Sequence, residues 1–272
     1  MKPVAEALGV SRPHLSTNRD RAAPPKRRGP YTKADDRALL RRIEVIVKKR
    51  ASYGYRRVTA RLNRNPNVAR VNHKRVYRIM KQAGLLLPKY GTKPELQHTG
   101  RVITLKSDLR WCSDGFEIRC WNGEKVHVVF SLDCCDREVI AWRAQTAHFC
   151  GHDIEDLMAM TIDARFGATY TPHPIEWLSD NGPPYTATNT RSFGRTHGLL
   201  VCNTPAYSQQ ANDMAEAFVK TFKRDYAYLN DVTDAETVLS QLDGWFQDYN
   251  TNAPHKGLQM LSPRQFRRAQ TN

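Results

Sequence analysis

Two acidic residues sit where a strand end and a helix could bring them together. Asp180 closes Glu176-Trp177-Leu178-Ser179-Asp180-Asn181-Gly182, which reads as a short buried strand running into a glycine turn. Glu216 lies in Ala215-Glu216-Ala217-Phe218-Val219-Lys220-Thr221-Phe222-Lys223-Arg224, where Ala215, Phe218, Val219, Phe222, Tyr226 and Leu229 recur at helical spacing. Glu216, Lys220 and Lys223 share a second face of that helix, at i, i+4 and i+7. A carboxylate on a strand end and another on a helix are candidate ligands of one metal site. Two ordinary surface acids are the plainer alternative. A third acid, Asp114, lies in Arg110-Trp111-Cys112-Ser113-Asp114-Gly115-Phe116. A carboxylate in a strand bounded by Trp111 and Phe116 needs a cation or a hydrogen-bond network to be buried there. Asp133 and Asp136 are rival acids, at a turn where capping or a salt bridge with Arg137 suits them better.

These residues are positioned by an alternation of elements. Strands are expected at Trp111–Ile118, Lys125–Leu132 and Glu138–Ala144, joined by short turns as an antiparallel meander. A helix follows from about His152 to Arg165, then a strand at Ile175–Ser179, a helix near Thr188–His197 and a strand at Leu199–Cys202. The helix that carries Glu216 begins near Gln210, and another runs from Ala235 to Tyr249. Three strands, helix, strand, helix, strand, helix, helix is the order of the ribonuclease-H-like fold, an α/β (α+β) mixed five-stranded sheet flanked by helices. In that fold the middle of the first strand lies beside the end of the fourth, so Asp114 joins Asp180 and Glu216. Three converging carboxylates repel one another unless a divalent ion neutralises them, and hard oxygen ligands select Mg²⁺ or Mn²⁺. A pair of such ions about 4 Å apart serves in-line displacement at phosphorus.

The charge of the chain is divided. The net charge is +15 over 272 residues, with 25 Lys/Arg against 5 Asp/Glu in residues 1–94 and 17 against 22 in residues 95–272. A basic front on a mildly acidic body suits a polyanion-binding module, with nucleic acid as the obvious polyanion. Within it, residues 33–87 read as an all-α helix-turn-helix-like unit. Leu39, Leu40, Ile43, Ile46 and Val47 line its first helix. Val58 and Leu62 point inward on the second, with Arg56, Arg57 and Arg61 outward. Asn72 caps a third helix, Lys74 to Ala83, that stops at Gly84 and projects Lys74, Arg75, Arg78 and Lys81 as a recognition face. Residues 1–32 read as a partial helix-turn-helix and basic linker, 88–108 as a second linker, and 109–272 as the catalytic core with C-terminal helices. No run is apolar enough to span a bilayer. The six cysteines include no CxxC pair and read as reduced thiols of a cytosolic protein.

The motifs Trp-Cys-Ser-Asp-Gly-Phe, Leu-Asp-Cys-Cys-Asp-Arg-Glu, Glu-Trp-Leu-Ser-Asp-Asn-Gly and Glu-Ala-Phe-Val-Lys-Thr-Phe-Lys-Arg-Asp-Tyr resemble the catalytic core of bacterial insertion-sequence transposases with a retroviral-integrase-like domain. The resemblance is to the second-reading-frame product of the copy-out, paste-in family. Tyr249-Asn250 with Pro254-His255, Leu258 and Ser262-Pro263-Arg264 is similar to that family's closing motif. Asn72-His73-Lys74-Arg75-Val76-Tyr77-Arg78-Ile79-Met80 is similar to its upstream helix-turn-helix.

The resemblance implies that Asp114, Asp180 and Glu216 hold the metal ions, with Lys223 and Lys220 against DNA. Asn181, Gly182 and Asn212 would shape the site and Tyr207 would contact DNA. It implies a cut by water at the element end and attack of the freed 3′-hydroxyl on another phosphodiester. It also implies element-end and target DNA as partners, a homo-oligomer in the DNA complex, fusion to an upstream reading-frame product, and a cytoplasmic, nucleoid-associated setting in a bacterium. The chain departs from the family at Ser208-Gln209-Gln210-Ala211-Asn212-Asp213, where a proline and a glycine are usual, and at Ala253. Asp213, three residues before Glu216, is a fourth acid on nearly the same helix face. A catalytically inactive relic that binds element ends as a regulator, and a simple ribonuclease-H-like nuclease, are the alternatives.

Overall fold

The computed structural model describes residues 6–7, 34–88, 104–203 and 213–271. Most of the expected N-terminal half-motif and linkers, and the Tyr207 to Asn212 segment, therefore lie outside the described residues. The chain forms two compact units, residues 1–39 and 40–272. The boundary falls inside helix α1 (Asp36–Lys49).

The helical region continues with α2 (Tyr55–Leu62) and α3 (His73–Gln82). Asn72 caps α3 as expected, its side chain accepting from the Lys74 N–H. Val58 and Leu62 of α2 and Val76, Ile79 and Met80 of α3 are buried. The chain leaves α3 through Gly84, at φ +68°, a left-handed position that glycine adopts without steric cost.

The remainder is one five-stranded sheet in the order β3-β2-β1-β4-β5 with helices on both faces. The strands are β1 (Arg110–Arg119), β2 (Lys125–Asp133), β3 (Val139–Gln145), β4 (Ile175–Ser179) and β5 (Leu199–Asn203). β1, β2 and β3 pair antiparallel, whereas β4 pairs parallel with both β1 and β5. This is the mixed ribonuclease-H-like sheet anticipated from the element order.

Strand alternation sends one set of side chains to each face. On one face Trp111, Val129, Ile175 and Trp177 pack under α4 (Gly151–Phe166), the short α5 (Pro183–Thr186) and α6 (Thr188–Thr196). On the other, Cys112, Phe116, Phe130 and Leu132 pack under α7 (Asp213–Asp225) and α8 (Ala235–Asn252). The apolar stripe of α7 explains the second layer: Phe218 lies 4.4 Å from Phe130 and Phe222 lies 5.6 Å from Phe116, ring centre to ring centre. A last helix, α9 (Pro263–Thr271), and the four-residue α5 add to the anticipated list.

Two sequence readings are corrected in part. Asp133 and Asp136 do cap their turn, Asp133 accepting from the Cys135 and Asp136 N–H groups and Asp136 from the Glu138 N–H, but their cation is not Arg137. They meet Arg165 of α4, whose side chain is 1% exposed, at 3.2 and 2.7 Å, and Glu138 joins the same guanidinium at 2.8 Å. Arg264 and Arg267 of α9 hold Glu138 from the other side. Buried acids so close together require the central guanidinium, and turn and helix are thereby bolted to each other. Nor does Arg57 point outward. It meets Asp225, the last residue of α7, at 2.8 Å, donates to the Pro254 carbonyl at 3.2 Å and covers the Tyr53 ring at 3.9 Å.

The closing motif holds the sheet. Asn250 of α8 is buried and completes both backbone hydrogen bonds of Val139 at the start of β3, accepting at 2.9 Å and donating at 2.8 Å. Tyr249 packs edge-on against Phe218 of α7 and against His255.

Candidate active site

The parallel pairing of β1 and β4 sets the site. Arg110 stands opposite Glu176, Trp111 opposite Trp177, and Cys112 opposite Leu178. The same offset carries Asp114 to the level of Asp180, which lies just past the end of β4. Both follow, two residues on, a side chain of the α7 face: Cys112 in that core and Leu178 packed against it. Trp111 and Trp177 anchor the opposite face, edge to face at 6.5 Å and fully buried.

Each aspartate is held by the backbone beyond it. The Gly115 N–H donates to Asp114 Oδ1 at 2.7 Å and the Gly182 N–H to Asp180 Oδ1 at 3.0 Å. A Cβ on Gly182 would lie 3.0 Å from Asp180 Oδ1, so the missing side chain lets the Asn181-Gly182 turn fold close under the carboxylate without displacing it. Burial pushes the Asp114 carboxyl up to about 6; the Gly115 N–H opposes that shift, and the charges of Asp180 and Glu216 add to it. Asp180 and Glu216 thus both lie within electrostatic reach of Asp114.

Glu216 approaches from α7. It is exposed in the first turn of that helix, where its Oε2 accepts from Lys220 at 3.0 Å. Among the described residues no three His, Cys, Asp or Glu side chains are already grouped as a metal-binding set. The carboxylates are gathered at one end of the sheet rather than closed on a point.

The basic residues named from the sequence fall into two groups. Lys223 lies on α7 with its ammonium 5.7 Å from the centre of the Phe116 ring, two residues along β1 from Asp114, while the Lys220 side chain is 77% exposed. Lys74, Arg75, Arg78 and Lys81 lie on α3, with Lys74 and Lys81 exposed and Arg75 and Arg78 half-buried. Asp213 opens α7 and is exposed.

Sequence reasoning passed over Tyr185 and Ser113. The Tyr185 hydroxyl, on α5, meets Ser113 Oγ at 3.0 Å in a buried pair beneath the site. Burial drives the Tyr185 phenol well above its ordinary range, and the charges of Asp114 and Asp180 push the same way. Its one sequence signal is the Pro183-Pro184 start of a helix directly after the Asp180 turn.

Comparison with known proteins agrees with this architecture. An HTH-like domain family matches residues 33–93, and integrase core domain families match residues 105–209 and 197–263. Transposase InsD for insertion element IS2A/D/F/H/I/K of Escherichia coli is 42% identical, over 97% of this chain and 90% of its own length. Among solved structures, a simian T-cell lymphotropic virus intasome in complex with PP2A regulatory subunit B56 gamma aligns at TM-score 0.50 and 13% identity, over 84% of this chain and 74% of that one. The Mos1 transposase catalytic domain solved with raltegravir and Mg aligns at TM-score 0.42 and 21% identity, over 52% of this chain and 71% of its own. The 42% identity to the insertion-element transposase along nearly the whole length, with the HTH-like and integrase core matches, places the chain in the family of insertion-sequence DNA transposases with an integrase-like catalytic core.

Proposed function

We propose that Asp114, Asp180 and Glu216 form the catalytic centre of this transposase. The observation that carries the proposal is the Asp114 carboxylate, desolvated on β1 and raised further by the charges of Asp180 and Glu216. An acid so placed is costly until a cation neutralises it. The donor set, three carboxylates with no thiolate or imidazole, fits Mg²⁺ or Mn²⁺, which we take to be held as a pair of ions. When bound, such ions stabilise the charge that develops on the attacking and leaving oxygens at phosphorus.

The protein's own groups supply position. Asp114 and Asp180 are fixed by the Gly115 and Gly182 amides, and Glu216 must leave Lys220 to join them. Lys220 and Lys223, one and two turns along α7, are then set to meet the phosphates of the reacting strand. In the first reaction a water oxygen bonds to phosphorus at the element end, and the 3′-oxygen of the element leaves as a hydroxyl. In the second that 3′-hydroxyl oxygen bonds to a target phosphorus, and the target's own 3′-oxygen leaves.

Residues 33–87 form the end-recognising part in this reading, with Lys74, Arg75, Arg78 and Lys81 facing duplex DNA, and residues 109–272 form the core. Two ends joined together call for a homo-oligomer, and an upstream reading-frame product, joined as a fusion, is a further proposed partner. Among the described residues no helix is long and apolar enough to cross a membrane. The proposed setting is the bacterial cytoplasm, with the nucleoid.

A strand-transfer assay on labelled element ends in Mg²⁺ tests the reading with wild type, Glu216→Gln and Asp213→Gly. Wild type should join ends and Glu216→Gln should not. Joining only by Asp213→Gly would establish the inactive-relic alternative. Cutting without joining by wild type would establish a nuclease.

A further inference from the structure

Helix α2 and the residues leading into α3 form one wall of an open cleft of about 540 Å³, and the segment Gln259-Met260-Leu261 with Gln265 forms the other. Arg56, Arg64, Arg70 and His73 line it, and among the described lining residues there is no carboxylate.

The two guanidinium groups beside it are held by neutral partners. Arg64 donates to Asn252 Oδ1 and to Gln265 Oε1, each at 2.7 Å, and Arg61 donates to the same Asn252 oxygen at 3.1 Å. A single amide oxygen thus receives two cations. Burial, then the charge of Arg61, lowers the Arg64 pKa from its ordinary value, so the positive charge here is opposed by its surroundings.

The far wall is built under strain. Gln259 and Met260 are consecutive non-glycine residues at φ +54° and +66°, a left-handed conformation that side-chain-bearing residues adopt at a cost. Hydrogen bonds hold it: the Met260 N–H donates to the His255 carbonyl at 2.8 Å and the His255 N–H to the Leu261 carbonyl at 3.0 Å. Asn252 ends α8 and Gln265 lies on α9, so this wall is the connection between α9 and the helix whose Asn250 pins β3.

We propose that this cleft is a second docking site for the phosphate backbone of duplex DNA, distinct from the α3 face and built jointly by α2 and the C-terminal segment. Its ligand chemistry is the phosphodiester anion, which would satisfy Arg56, Arg64 and Arg70 with charge-assisted hydrogen bonds. Backbone contacts of this kind fix register without reading sequence. A strand held there would be fixed relative to α8, and through it to the sheet that carries Asp114. The inference rests on the DNA-transposase reading for the identity of the polyanion.

The test is the salt dependence of duplex binding by the full chain carrying Glu216→Gln, without divalent cation, in parent, Arg56→Gln/Arg70→Gln and Arg64→Gln forms. Each lost phosphate contact lowers the slope of log affinity against log salt by about 0.9. The double variant should lose about 1.8 and Arg64→Gln about 0.9, equally for an element-end duplex and an unrelated duplex of the same length. Arg70 is exposed, so the double variant should keep the parent's melting temperature and separate docking from folding. An unchanged slope in the double variant overturns the proposal, and so does a loss confined to the element-end sequence. Because only binding is read, a wild type that binds but never joins ends would overturn the catalytic reading and leave the cleft standing.

Discussion

Arg57 of α2 meets Asp225 of α7 at 2.8 Å, and the helix that ends on Asp225 carries Glu216 in its first turn. The Asp225 side chain is 2% exposed and its pKa lies below the usual carboxylate range: burial opposes that shift, and Arg224, Arg57 and Ser52 outweigh it. Removing one partner of a buried pair leaves an uncompensated charge. Arg57→Ala should therefore destabilise the protein by about 2–4 kcal/mol, read as a lower urea midpoint with an unchanged slope. A loss within about 0.5 kcal/mol, the size expected of a surface change, would show that Arg224 alone satisfies Asp225.

Asp114 should trade stability for activity. Its carboxylate is desolvated and faces Asp180 and Glu216 without a metal, so Asp114→Asn removes a repulsive charge. The variant should be more stable than wild type by about 1–2 kcal/mol in chelator at neutral pH, and inactive in strand transfer. Added Mn²⁺ should raise the melting temperature of wild type and leave that of Asp114→Asn nearly unmoved. A variant less stable than wild type in chelator would mean that the charges of Asp180 and Glu216 do not bear on Asp114.

Asn250 serves the fold and not the chemistry. Its side chain satisfies both the N–H and the carbonyl of Val139 at the buried start of β3. Asn250→Ala should cost about 2–4 kcal/mol, because two backbone groups lose their partner. Hydrogen exchange at the Val139 amide, protected in wild type, should become fast in the variant.

His255 predicts an acid weakness. It is largely buried among Arg57, Arg137, Arg224 and Asp225, and burial, with help from the arginines, lowers its pKa to about 3. The folded pKa lies below the unfolded one, so the unfolded chain takes the proton first. The stability contributed by neutral His255 is full above about pH 6.5 and is lost as pH falls toward 3. Denaturant melts of wild type and His255→Leu, compared across that window, should show a shallower pH dependence in the variant. Parallel curves would mean that other groups carry the acid sensitivity.

The layout of the sheet was legible because its signals are local. β4 falls at Ile175–Ser179 as expected, since a short apolar run ending in Asp-Asn-Gly defines both its length and its stop. The stripe of α7 is likewise a local period, and it correctly assigned Phe218 and Phe222 to the core. What the sequence concealed is mostly pairing across distance. Arg165 lies 27 to 57 residues from Glu138 and Asp108, and nothing in either segment marks the other as a partner. Arg57 and Asp225 are farther apart still, and each reads alone as an ordinary surface charge. α9 is rich in arginine and glutamine, so its docking by ion pairs to Glu138 left no apolar pattern to read. The three acids proposed as the site were named from motif and spacing, whereas Tyr185, which pairs with Ser113 below Asp114, was hidden in a single proline-led turn.

The most direct test of the central claim is single-turnover strand transfer in Mg²⁺ by Asp180→Asn, on labelled element ends at saturating protein. Asp180 is nearly isosteric with asparagine and keeps the Gly182 hydrogen bond within reach, so folding and DNA affinity should match wild type. If the three carboxylates form one metal-binding centre, the joining rate should fall by on the order of 10³-fold or more. Joining within about tenfold of wild type would contradict the account and place the chemistry elsewhere in the chain.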